Sequence, residues 1–129
     1  MFVKLAAKLC GLKVRVKVDK TDYTSFDFDE NQVIIGGDIG EDLFGFYEHL
    51  VNRHNCGWAH RYDYKTWSFL HEVGHFYTQD EEFEQQKVGY FDQPEEWAAT
   101  EWATNFTMAH PKRARIINWL ITHSKIKEW

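Results

Sequence analysis

With two prolines, two cysteines and eight glycines in 129 residues, the chain does not read as a linker, a repeat array or a disulfide scaffold. Cys10 and Cys56 stand apart with no CxxC, and read as reduced thiols. Long apolar runs are missing too. No stretch approaches the roughly 20 residues of a membrane span, and Lys4 and Lys8 interrupt the opening MFVKLAAKLCGL, so it does not read as a signal peptide. The expectation is a cytoplasmic protein with no membrane partner. A basic excess is also lacking: 15 Lys and Arg against 20 Asp and Glu give a formal charge of −5, which weighs against a dedicated nucleic-acid binder. The basic residues that gather late, at Lys112, Arg113, Arg115, Lys125 and Lys127, read as a solvated helix face. Aromatic residues, by contrast, are plentiful at 17%. Such bulky side chains let one domain spanning residues 1–129 bury a sizeable core.

Hydrophobic periodicity lays out an α+β domain. Phe2, Leu5, Ala6 and Leu9 fall at helical spacing and Gly11 ends that run. Val14, Val16 and Val18 alternate with basic residues as a first strand, Phe26 and Phe28 alternate with aspartates as a second, and Val33-Ile34-Ile35 form a third. The short polar turn between the last two predicts an antiparallel pair. Residues 41–52 read as a helix, and another begins near Lys65 or Thr66 and runs through Trp67, Leu70, Val73 and Tyr77. Pro94, followed by Glu95 and Glu96, marks a helix start, and that helix runs to about Ala109. Pro111 begins a last helix with Ile116, Ile117, Leu120 and Ile121.

The most informative segment is His71-Glu72-Val73-Gly74-His75, an HExxH. Residues four apart on a helix lie one above the other, so both imidazoles can reach one ion. Zinc suits two neutral imidazoles plus a carboxylate with a fourth position open to water. Glu72 is rotated to the side of the pair, where it can take a proton from that water as general base. With seven His and eleven Glu in the chain, an HExxH arises by chance about 3% of the time. Its placement among Phe69, Leu70, Val73, Phe76 and Tyr77 narrows that further.

A third ligand is required, and the helix after Pro94 offers Glu95, Glu96 and Glu101. Glu96 shares a face with Ala99 and Ala103, and two alanines there let that helix approach the HExxH helix closely, with Gly74 helping from the other side. Glu101 lies with Asn105 and Met108, and Glu95 with Ala98, Trp102 and Asn105. Glu96 is therefore favoured and Glu101 comes next. A water-activating site also needs a group to polarise the scissile carbonyl. One of the remaining histidines, or Tyr62, Tyr64, Tyr77 or Tyr90, is open to that role.

HEVGHF followed by EWAATEWATNFTM resembles the ImmA/IrrE family of zinc metallopeptidases, whose pattern is HELGH and then E-x-x-A-N-x-F-A-x-x-L-L-M-P on a later helix. In that register Glu96 falls on the ligand glutamate, Ala99 and Ala103 on the two alanines and Trp102 on the phenylalanine. Thr100 stands in place of the asparagine, Thr107 of a leucine and Ala109 of the proline. The resemblance covers about residues 66–109. It implies a minimal zincin-like, gluzincin-type domain, with an antiparallel-containing sheet packed on helices and the HExxH on a central helix. It further implies a zinc-dependent endopeptidase (metal ligands His71, His75 and Glu96, catalytic Glu72) acting on a protein substrate such as a transcriptional repressor. The alternative is a non-catalytic zincin-fold module that sequesters a regulatory protein, although such a module has no need of Glu72.

Overall fold

The computed structural model describes residues 2–11, 13–23, 25–38, 62–79 and 94–123. The element order is α1 (Phe2–Cys10), β1 (Val16–Tyr23), β2 (Ser25–Asp27), β3 (Gln32–Asp38), α2 (Tyr64–Thr78), α3 (Pro94–Ala109) and α4 (Pro111–Thr122). The chain is thus α+β. The helix expected over 41–52 lies outside the described residues, as do Cys56, Lys125 and Lys127.

The sheet has the order β1-β3-β2. β2 and β3 pair antiparallel, with Phe26 opposite Val33. Their turn closes locally: Asp27 Oδ1 accepts hydrogen bonds from the backbone N–H of Asp29 and Glu30 at 3.0 and 3.2 Å. Asn31 takes a positive φ of 55°, a conformation asparagine tolerates better than most residues. Phe28 therefore belongs to this turn and not to the strand. β1 pairs parallel to β3, with Val16 opposite Val33 and Val18 opposite Ile35. That parallel pair, and the extension of β1 to Tyr23, go beyond the expected short strand over Val14–Val18.

Among the described residues, three of the four helices begin where local chemistry directs. Asp63 caps α2 by accepting a hydrogen bond from Lys65 N at 2.9 Å. Pro94 and Pro111 open α3 and α4 at positions where a missing N–H costs nothing. Asn118 ties two of them together, its Oδ1 accepting from Asp63 N at 3.0 Å and from Thr66 Oγ1 at 2.7 Å.

The core gathers Val3, Val33, Ile35, Phe69, Leu70, Val73, Ala103, Ile117 and Ile121 from both layers. α2 lies deepest, with residues 66–75 all buried. One helix turns a different side inward from the one its larger apolar residues suggested. α1 buries Val3, Ala6, Ala7 and Cys10 and leaves Phe2 and Leu5 exposed, whereas α4 buries Ile117, Leu120 and Ile121 as its period predicts and leaves only Ile116 of that set out. The small side of α1 permits the closer approach, and Phe2 instead meets Trp119 of α4 at a ring distance of 5.5 Å.

The contact that positions the site is between α2 and α3. A Cβ on Gly74 would fall on the carbonyl oxygen of Ala99 and stand 2.9 Å from both Ala99 C and Cα. The obstacle is backbone, which cannot rotate away. Gly74→Ala should therefore destabilise the fold by about 3 kcal/mol, the upper end for overpacked cores. Denaturant unfolding of both proteins measures it, and equal midpoints would mean that the helices can separate freely.

Candidate metal centre

Close approach of α2 and α3 brings His71, His75 and Glu96 into one buried group whose ligand atoms all lie within 4.8 Å of one another. Glu96 Oε2 stands 2.7 Å from His75 Nε2 and 3.5 Å from His71 Nε2. Ligand atoms held at about 2.1 Å around a tetrahedral ion are separated by about 3.4 Å, so this spacing suits a single metal. Glu96 Oε2 is also buried and accepts no well-aligned hydrogen bond despite its nearness to His75. A buried carboxylate oxygen in that state is costly unless a cation completes it. The group is thus able to hold a metal ion, and an anion with two imidazoles is the donor set that transition metals accept.

Electrostatics of the metal-free group follow from burial and pairing. Burial opposes charge on Glu96, but the imidazoles of His71 and His75 beside it outweigh that and hold the carboxyl far below its usual range. Burial likewise opposes charge on His75, and Glu96 with its neighbouring carboxylates more than offsets it, so that imidazole sits above its ordinary value. His71 is lowered, because burial dominates. Glu72 is 4% exposed. Burial pushes its carboxyl up to about 8, with the Glu96 charge adding to the rise and His75 opposing it. A carboxyl with that affinity for protons can both take and return one near neutrality.

Glu101, the second candidate ligand, is exposed and outside the group, and Glu95 is half-buried. Of the groups open to a carbonyl-polarising role, Tyr77 donates to Cys10 O at 2.9 Å and stacks on Trp102. His110 packs against Phe106, and His123 stacks on Trp119. Tyr62 meets Trp67 edge-on. Tyr90, His49, His54 and His60 lie outside the described residues. The Cys10 thiol is buried and burial pushes it up to about 12, so it stays protonated at neutral pH.

Two features beside the metal group were not read from sequence. The Thr100 hydroxyl lies 3.2 Å from His71 Nδ1. Its i+4 spacing from Glu96 already put it on the ligand face of α3. The second is an aromatic flank: the rings of Phe26 and Phe28 come within 6.2 and 5.6 Å of the His75 ring, and Phe28 is exposed. No period or motif marked those phenylalanines as neighbours of the histidine, because the sheet must first pack on α2. No described helix is long and apolar enough to cross a membrane. No family model matches the chain, and no curated protein or solved structure is significantly similar to it.

Proposed function

We propose that this chain is a zinc-dependent endopeptidase of minimal zincin-like architecture, similar to the ImmA/IrrE enzymes. It would hydrolyse a peptide bond in a cytoplasmic protein such as a transcriptional repressor. The observation that carries the reading is the convergence of His71, His75 and Glu96, from two helices, beside a buried Glu72 with a raised pKa. Zinc held by those three side chains would supply Lewis acidity, lowering the pKa of a water and polarising a substrate carbonyl. The chain's own residues do the rest. Glu72 is the group available to receive the water's proton and to hand it to the departing amine. Phe26 and Phe28 wall one side of His75 with apolar surface, which excludes water and suits a substrate side chain without charge. Among the described residues no strand pairs with the outer edge of β2, so an extended substrate segment has a short edge next to that wall on which to align.

The purified protein should hold about one zinc per chain. Elemental analysis of wild type and His75→Ala tests this, and the variant should be essentially zinc-free and melt lower, because site formation and folding are linked. Full zinc occupancy in His75→Ala would overturn the ligand assignment.

A further inference from the structure

We infer that Thr100 is a positioning residue that fixes which nitrogen of His71 is offered to the metal, an inference that rests on the metal-binding reading above. The argument is a count of protons. A threonine hydroxyl has one hydrogen to donate and lone pairs with which to accept. Thr100 Oγ1 lies 2.8 Å from the carbonyl oxygen of Glu96, one turn earlier on α3. A carbonyl has no hydrogen, so the proton between those two oxygens must come from Thr100. With its hydrogen committed there, the hydroxyl can only accept from His71 Nδ1, 3.2 Å away. Nδ1 therefore carries the hydrogen, and Nε2, the nitrogen facing Glu96 Oε2, presents its lone pair.

Burial makes the arrangement hard to replace. Thr100 is 1% exposed and His71 is 2% exposed, so water does not readily compete for either group. The Glu96–Thr100 bond also couples two functions on one helical turn, since the residue that supplies the carboxylate supplies the carbonyl that orients the hydroxyl. Thr104 and Thr107 make the same bond one turn back, to Thr100 O and Ala103 O at 2.9 and 2.8 Å. Among the described residues, neither of those two meets a ring nitrogen. Thr122 does, but it reaches only the exposed ring of its chain neighbour His123, whereas Thr100 reaches a buried ring on another helix. Its position is thus not explained by helix-internal bonding alone. Partners of this kind fix the ring and tautomer of metal-binding histidines, and their loss typically lowers metal affinity about 10- to 100-fold.

The test uses Thr100→Val, close in shape but without the hydroxyl, and Thr100→Ser, which restores it. Zinc affinity by competition with a chelating dye should fall about 10- to 100-fold in Thr100→Val and return to near wild type in Thr100→Ser. Independently, ring nitrogen chemical shifts of His71 in the metal-free wild type, recorded at alkaline pH, should show hydrogen on Nδ1 and a bare Nε2. Wild-type affinity in a folded Thr100→Val protein, or an Nε2–H tautomer in the wild type, would overturn the inference. If Thr100→Val fails to fold, the wild-type tautomer alone decides. A wild-type chain that takes up no zinc defeats the peptidase reading instead, and the tautomer still tests the proton count.

Discussion

Glu72→Gln should keep its zinc and lose peptide hydrolysis by about 100- to 10,000-fold, the usual worth of a general base. The amide keeps the shape of the side chain and can still hydrogen-bond to a water, but it cannot take the proton. The same substitution should make the metal-free protein more stable at neutral pH, and the sign follows from linkage. The folded-state carboxyl of Glu72 is raised from 4.5 to about 8. Below about 4.5 both folded and unfolded states are protonated and the group contributes nothing. Between 4.5 and 8 the unfolded chain ionises first, so stability falls as pH rises, and above 8 the deficit is constant. His75, whose folded value is also raised, acts in the same direction: its contribution is complete below 6.5 and is lost as pH rises through the folded value. Glu72→Gln should remove the carboxyl's share of this slope and raise Tm by several degrees near pH 7. The measurements are cleavage of a candidate repressor encoded beside this chain, zinc content, and thermal melts across pH. Equal cleavage rates for both proteins would end the catalytic role of Glu72. Tight binding of the partner by both, with no cleavage by either, would favour a sequestering module.

What could be read in advance was what short-range chemistry decides. The HExxH lay on a helix because its apolar neighbours share that period, and the starts of α3 and α4 were marked by Pro94 and Pro111. Glu96 was favoured over Glu101 because it shares a face with Ala99 and Ala103, and it is Glu96 that joins the histidines in the buried group. Gly74 and the two alanines form the close contact that brings it there. What could not be read depends on distant partners. The parallel pairing of β1 with β3 joins residues about 17 positions apart, and strand alternation does not encode which neighbour a strand takes. In α1 both the Phe2–Leu5 side and the Val3–Ala6–Ala7–Cys10 side have apolar character, and the packed neighbours decide which is buried. The i+4 spacing of Thr100 from Glu96 places it on the ligand face of α3, but not against a particular histidine. Its bond to His71 exists because α2 and α3 approach closely, a distance that no local spacing contains.

Glu96→Ala should weaken zinc binding by more than about 100-fold, whereas Glu101→Ala should leave it at the wild-type value. The floor comes from comparison: removing a partner of a ligand costs about 10- to 100-fold, and removing the ligand itself must cost more. The two glutamates sit on one helix five residues apart, so the pair controls for helix propensity and for net charge. Only their surroundings differ. Glu96 is 7% exposed, within reach of both histidines, while Glu101 faces solvent. Glu96→Ala also removes the charge that holds His75 above its ordinary value, so in the metal-free variant His75 should titrate lower than in wild type. In the wild type the carboxyl of Glu96 is depressed by its two histidines. Its contribution to stability is present above about 4.5 and is lost as pH falls toward its low folded value. The metal-free Glu96→Ala protein should therefore lack the acid-side loss that wild type shows in thermal melts, and Glu101→Ala should retain it. Calorimetric zinc titration of the three proteins, with melts recorded alongside, reads both effects. Wild-type affinity in Glu96→Ala with a large loss in Glu101→Ala would transfer the ligand role to Glu101 and require α3 to turn on its axis when metal binds.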